Sequence, residues 1–540
     1  MSISNRVSVF AAERLLFEPI SPIADAVPLI FAFPNTYTVG ITSLGYQTVW
    51  ATLRRRNDLS VSRLFTDSSE SLPSQPELFG FSLSWELDYA HVLDLLEQLN
   101  VPIRSSQRDD HHPLIFGGGP VLSANPEPFA DFFDIILMGD GEIVLDAFID
   151  AYLEVRHHPR AVQLCRLAQV PGIYIPSLYE PVYSAADEPL CSIAPLAPQA
   201  PMSVLKQTYR GNTLCTSTVV TEHAAWANIY MVEVVRSCPE LCRFCLASYG
   251  TLPFRTPSVA ETLIPAIRQG LRVTDRIGLL GASVTQHPEF EALLNFFDQP
   301  ECDRVRLSIA SVRTNTVTQK LAQTLATHDT RSITIAIESG SERLRQIVNK
   351  KLDNESIYAA AAHAKAGGLN GLKLYGMVGI PGETEADLVQ TLDLMQGLKR
   401  QTPGLRLTLG CSTFVPKAHT PFQWFGVQPI AEKRLQTLHK HLRKQGIEFR
   451  PESYNWSVIQ ALISRGDRRL STLLERTRQY GDSLGSYRRA FKELRGQIPP
   501  LEFYVHQDWP TNQVLPWSHL QGALPQTTLE KHRAEAIALF

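Results

Sequence analysis

Cysteine is missing from the first 164 residues, and the whole 540-residue chain has only eight. So few cannot cross-link a chain of this length, which excludes a disulfide scaffold. No apolar run approaches the ~18 residues of a spanning helix, so no membrane segment is predicted. Neither sign of charge dominates. Lys and Arg number 51 against 54 Asp and Glu, which removes the global basic footprint of a nucleic-acid binder. Arg6, Glu13, Arg14 and Glu18 break every apolar stretch of the first twenty residues, so no secretory leader is expected and the expected setting is cytoplasmic. What remains is an ordinary globular composition, 44% hydrophobic and 19% charged, on a chain long enough for two to four domains at ~100–200 residues each.

Short apolar runs alternate with helical patterns over residues 1–155. Leu29–Phe33, Val61–Phe65, Leu78–Leu83, Leu114–Phe116 and Ile135–Met138 read as buried strands, and Val92, Leu95, Leu96 and Leu99 fall on one helical face. This predicts a doubly wound parallel sheet, with Gly40, Gly117–Gly119, Gly139 and Gly141 just past strand ends where such sheets take ligands. Each glycine alone also reads as a plain turn residue. Residues 156–227 are proline-rich and aperiodic, a connector expected to pack over both neighbours. A second α/β series fills 228–430, with strands expected at Tyr230–Val235, Ile277–Gly281, Val305–Ala310, Ser332–Ile337, Leu372–Val378 and Leu405–Thr413. Ser258 with Glu261 predicts a capping box before one of the intervening helices. Six β–α units imply a partial barrel whose site lies at the strand carboxyl ends. Residues 431–540 read as mainly helical. Between 431 and 500, fifteen Lys and Arg face seven Asp and Glu, by default a solvated helical face.

Three of the eight cysteines fall within eight positions, Cys238-Pro-Glu-Leu-Cys242-Arg-Phe-Cys245, directly after the first strand of the second series. Three thiolates on one loop suit an iron–sulfur cluster with one iron left open. Zinc is the competing ligand, although its usual paired second segment is missing.

The triplet resembles the cluster motif of radical S-adenosylmethionine (SAM) enzymes. That resemblance implies a 4Fe-4S cluster on Cys238, Cys242 and Cys245, whose open iron takes the amino and carboxylate groups of SAM. An electron then cleaves SAM to a 5′-deoxyadenosyl radical. Phe244 would lie against the adenine. Later segments extend the likeness. Gly281, Ala282 and Ser283 match the glycine-rich segment near the SAM amino group. Glu338, Ser339, Ser341 and Arg343 match the E/Q-S-G-S-x-R segment near ribose and carboxylate, where Arg343 would pair with the carboxylate. Gly379 and Pro381, within Gly376–Thr384, match the adenine-side turn. Across nearly the whole chain, segments such as Pro34–Gly40, Gly139–Glu142, Val170–Tyr174 and Ser464–Arg469 resemble bacterial radical SAM proteins fused to an N-terminal cobalamin-binding-like domain. The implied architecture is that domain, a central partial (β/α)6 radical SAM barrel and a helical C-terminal region.

Histidine-on cobalamin domains present Asp-x-His-x-x-Gly, and this chain has Asn35-x-Tyr37-x-x-Gly40 in that frame. A phenol is a poor substitute for a basic imidazole. His91, His111 and His112 read as surface residues. Ser82, Ser84 and Gly117–Gly119 are left to line a nucleotide-like tail. Two readings stand: a domain holding cobalamin without a protein ligand, and a purely structural one. The first makes methyl transfer to an unreactive carbon the natural reaction.

The resemblance further implies an external electron donor of flavodoxin or ferredoxin type and a substrate it does not name. Lys373, Tyr375 and Cys411 are candidate catalytic or substrate-contacting groups, if their strands point them into the barrel. A methylthiotransferase is disfavoured, because those relatives carry three further cysteines in the N-terminal domain. The alternative class is an iron–sulfur or zinc sensory protein that engages RNA or a protein partner without SAM chemistry.

Overall fold

Strands buried on both faces need apolar side chains in both registers, and the first sheet follows that rule. The computed structural model describes residues 8–310, 312–481 and 483–540, and Arg6 lies outside them. The first sheet contains β1 (Val27–Ala32), β2 (Leu59–Leu64), β3 (Leu78–Ser82), β4 (Leu114–Gly118), β5 (Ile135–Leu137) and β6 (Ile173–Tyr174) in the order β2-β1-β3-β4-β5-β6. The first five are parallel and β6 is antiparallel. Helices α1 (Leu44–Arg54) and α3 (Gly141–Val155) cover the Leu29–Phe31 face, and α2 (Tyr89–Gln98) covers the Ile30–Ala32 face with Val92, Leu95 and Leu96 buried. β6 comes from the 156–227 stretch, since two residues are too few to show an alternation. Chain order reverses between β1 and β3, and the crevice at that point is where doubly wound sheets take ligands.

The second series gives seven parallel strands in two sheets. One holds β7 (Ile229–Glu233), β8 (Arg276–Leu280) and β9 (Arg306–Ile309). The other holds β10 (Ser332–Glu338), β11 (Gly371–Val378), β12 (Arg406–Thr413) and a short edge strand β13 (Glu448–Pro451). A parallel bridge between Val312 and Ile335 joins them. Ile333, Ile335, Ile337, Leu372, Leu374, Leu407 and Leu409 face the outer helices in one core, which leaves the alternate residues for the lumen. Ser258 accepts the Glu261 amide, and the helix there opens with a π turn at Val259–Leu263. Two further helices matter for the site, α4 (Glu342–Ile347) and α5 (Glu385–Gln401), the second capped reciprocally by Thr384 and Asp387.

Helices α6 (Ile430–Lys444), α7 (Tyr454–Arg465), α8 (Leu470–Gln479), α9 (Leu484–Glu493) and α10 (Gln526–Ile537) complete the chain. Much of their positive charge is spent inward. Arg468 forks onto the buried Glu127, Arg478 pairs with Asp94 and Glu97 on α2, and Arg434 pairs with Glu383. The basic stretch is therefore in good part the electrostatic complement of the acidic remainder. No helix among the described residues is long and apolar enough to cross a membrane.

Glu127 also accepts from the Tyr174 hydroxyl at 2.5 Å and lies 3.5 Å from His519. Burial pushes the His519 imidazole down to about 4, against the opposing pull of Glu127. The folded state thus refuses a proton that the unfolded chain accepts near its ordinary value of about 6.5. The stability this confers is complete above that value and is lost as pH falls toward 4, up to about 3 kcal/mol. Urea midpoints at pH 7 and pH 5 should show the fall, with a shallower slope in His519→Gln. Identical slopes would contradict this assignment.

Candidate functional site

The triplet loop leaves β7 and turns sharply. Ser237 (φ 72°) and Leu241 (φ 52°) both adopt the left-handed conformation that non-glycine residues rarely take, strain that the surroundings must hold in place. The chain supplies the restraints. Asn349 Nδ2 donates to the carbonyls of Glu240 (3.1 Å) and Leu241 (2.9 Å). Arg243 donates to the carbonyls of Gln346 (2.9 Å) and Ile347 (2.8 Å), placing a cation on the C-terminal end of α4. From outside, α10 adds Glu535 on Arg243 (3.0 Å) and His532 on the Tyr249 hydroxyl (2.8 Å).

Cys242 is buried, and Cys238 and Cys245 are partly so. Burial pushes the Cys242 thiol up to about 12 and Cys245 up as well, while Lys350 and Arg313 pull Cys242 the other way. Lys350, itself buried, pairs with Glu338 at 2.8 Å, and Arg313 pairs with Glu240 at 3.1 Å. Cys242 and Cys245, thiols that burial holds protonated with cations beside Cys242, suit ligands that exchange proton for metal. The donor chemistry fits an anionic iron–sulfur cluster.

The neighbouring strand ends assemble around this loop. A Cβ on Gly281 (φ 149°) would lie 2.6 Å from the Val235 carbonyl, so β8 can run against the loop only with glycine there. Beyond Ala282, Ser283 bonds Gln286, which donates to Glu240 (2.6 Å). Glu338 closes β10 at φ 61°. Phe244 packs against the cluster containing Leu344, Met377 and Ile380, which brings it beside the turn holding Gly379 and Pro381. The Gly379 amide donates to Glu383.

Three of the expected ligand contacts are already taken by the protein. Arg343 donates to Asp387 (2.6 Å) and the Gly382 carbonyl (2.7 Å). Ser341 caps α4 and donates to Asp387 (2.5 Å), and Ser339 accepts the Ser341 amide. These side chains brace the turn after β11, because Asp387 in the first turn of α5 supplies the carboxylate that Arg343 was expected to seek in the ligand. Cys411 is buried in the core with Leu407 and Leu409 and also lines the cavity that Lys373 and Tyr375 line. Lys373 and Tyr375 are in the other register, and that cavity, of about 410 Å³, lies in the lumen with Glu338 at its upper end.

A second cavity, of about 280 Å³, lies at the switch point of the first sheet. Phe31, Ser82, Ser84, Gly118, Gly119 and Gly141 line it from one side, and Cys215, Arg236 and Lys206 from the other. Gly117 is turned away, against Leu122 and Phe133. Arg236, two residues before Cys238, pairs with Glu142 at 2.7 Å, and Arg255 pairs with Asp140 at 2.8 Å, so charge stitches the first sheet to the triplet loop. A Cβ on Gly45 would meet nothing within 4 Å and one on Gly118 nothing closer than 3.7 Å, so the cradle is open space. Tyr37 does not reach it. Its hydroxyl donates to Glu13 (2.6 Å) and its ring packs edge-on to Phe10 and Phe65.

Two family models match this chain: "Radical SAM proteins, N-terminal" over residues 47–176 and "Radical SAM superfamily" over 232–395. An uncharacterized protein of Methanocaldococcus jannaschii is 26% identical over 445 residues, 82% of this chain and 89% of that protein. A tRNA-2-methylthio-N(6)-dimethylallyladenosine synthase of Desulfosudis oleivorans is 26% identical over 180 residues, 31% of this chain and 38% of that enzyme. Among solved structures, the radical SAM methyltransferase TsrM from Kitasatospora setae, with cobalamin and a [4Fe-4S] cluster bound, superposes with a TM-score of 0.50. It is 13% identical, covering 87% of this chain and 99% of that one, a likeness of fold. The three cysteines between the N-terminal region and the triplet sit apart: Cys165 on the helix Arg160–Leu167, Cys191 on the strand Leu190–Pro195, and Cys215 at the second cavity.

Proposed function

We propose that this chain, a radical SAM protein by its two matched domains, cleaves SAM reductively and spends the resulting radical on a substrate in its barrel lumen. The observation that carries the reading is the triplet loop itself, buried at Cys242, flanked by Lys350 and Arg313, and sharing Glu338 with the lumen cavity. A 4Fe-4S cluster on Cys238, Cys242 and Cys245 would supply the electron for that cleavage. The protein's own part is to bury the loop, oppose its negative charge and fix the turns after β8, β10 and β11. Phe244, Gly379 and Pro381 offer a flat apolar seat for an adenine. The electron donor, of flavodoxin or ferredoxin type, and a cytoplasmic setting belong to the same proposal.

The finer reading is methyl transfer assisted by cobalamin. The open cavity at the switch point supports it, stitched by Arg236 to the strand that leads into the cysteines. With Tyr37 committed to Glu13, the corrin would be held without a tyrosine ligand to cobalt. Anaerobic protein given reductant and SAM should release 5′-deoxyadenosine; none would return the chain to the sensory reading. Desalted protein should retain hydroxocobalamin, read from its visible spectrum, and Gly118→Leu should lose it. Equal retention by both would put cobalamin elsewhere or nowhere.

A further inference from the structure

The lumen of a closed eight-stranded barrel is filled by branched side chains. Here it is hollow. On β11 and β12, Lys373 and Tyr375 with Thr408, Gly410 and Ser412, all small or polar but for the tyrosine ring, line a cavity of about 410 Å³ together with Cys411. Within it most charges are already satisfied. Glu338 is paired with Lys350, Arg450 with Glu448 on β13, and Thr408 donates to Glu448. Glu452 stands exposed at the outer edge. Lys373 is different. It is partly buried, yet among the described residues its ammonium has neither a hydrogen-bond nor an ion-pair partner. Two positions along the strand, Tyr375 lies over Gly410, where even a Cβ would come within 3.2 Å of the ring, and it is 51% exposed with its hydroxyl unpartnered among the described residues.

A partly buried ammonium with neither a hydrogen-bond nor an ion-pair partner is open to an anionic ligand. A tyrosine face laid flat on glycine and left open favours another flat ring. We infer that the lumen takes a small molecule bearing an anionic group, carboxylate or phosphate, held by Lys373, and a ring that packs on Tyr375. The inference rests on the radical SAM reading and names the substrate class for it. Depth supports the same geometry. Lys373 lies opposite Thr334, and Glu338 opposite Gly376, three residue levels higher and so about 10 Å along the strands. A molecule anchored at Lys373 and spanning that distance presents its far end beside the triplet loop. The span is that of a metabolite, and Lys373 fixes which end of it meets the radical.

The test uses the full chain with its cluster reconstituted anaerobically, and equilibrium binding of 2-naphthoate, 2-naphthyl phosphate and neutral 2-naphthamide. Wild type should prefer one or both anions to the amide by at least about tenfold, the scale of one charge-assisted hydrogen bond in a partly buried site. Lys373→Met should erase that preference, and Lys373→Arg should restore it. Tyr375→Leu should weaken all three probes. Lys440→Met, on the outward face of α6, should change none of them. The tighter of the two anions identifies the group. No preference in wild type, or an unchanged preference in Lys373→Met, overturns the inference. These readouts do not involve SAM turnover. Failure to release 5′-deoxyadenosine would sink the radical reading and leave anion binding to stand or fall by itself.

Discussion

Cys242→Ala is expected to abolish the protein's iron-dependent visible absorption and its SAM cleavage together. Loss of cleavage by at least about three orders of magnitude corresponds to about 4 kcal/mol of transition-state stabilisation. The size follows from position. Cys242 is the most enclosed of the three thiols at 6% exposure, and water has little access to replace the missing sulfur. The structural cost should be small by comparison. Trimming a thiol to a methyl in a loop held by Asn349, Arg243 and α10 leaves every one of those hydrogen bonds in place. Iron content, absorption and 5′-deoxyadenosine release, measured on the same preparation, check the result. A variant that keeps its iron or its cleavage would remove Cys242 from the ligand set.

Lys350→Met should produce the second largest effect, by a different route. Burial works against the Lys350 charge, but the Glu338 carboxylate outweighs it and holds the ammonium above its ordinary range. Removing that ammonium strands the Glu338 carboxylate, 11% exposed, without a counter-charge. Breaking a buried pair from one side costs about 3–5 kcal/mol, so denaturant unfolding should show a clear loss. The double variant Lys350→Met/Glu338→Gln should recover a substantial part, which a purely steric effect of methionine would not allow. In the reconstituted protein the single variant also removes a cation beside the metal. Reduction adds negative charge, so the midpoint potential should move more negative and SAM cleavage should slow. Stability and potential both equal to wild type would mean that the pair neither holds the site nor tunes it.

The chain's local patterns made the two α/β units legible. Runs such as Leu29–Phe33 and Leu78–Leu83 are apolar in both registers because their sheet is covered on both faces, and the structure places strands there. The cysteine spacing and the glycine-rich strand ends were legible for the same reason, since each is written in consecutive residues. What was missed is non-local. Asn349 and Lys350 reach the loop from over a hundred positions away, Gln286 and Arg313 from two other strand ends, and Glu535 and His532 from the last helix. The Asn-Lys-Lys run closing the segment after Glu338 was the one available signal for the first two. Cys411 shares the strand face of Leu407 and Leu409 and still lines the cavity beside Lys373 and Tyr375, which strand periodicity alone does not show. Arg343 shows a different failure, because a side chain that suits an anionic ligand equally suits Asp387, and only the folded chain shows which carboxylate is within reach.

The proposed function requires three sulfurs gripping an iron–sulfur cube with one corner open to SAM. Metal and sulfide analysis of oxygen-free protein, followed by electron paramagnetic resonance of the reduced state before and after SAM is added, tests this most directly. Iron with matching sulfide, and a signal whose shape changes on adding SAM, is the result expected. Zinc in the preparation, or an iron signal indifferent to SAM, would contradict it.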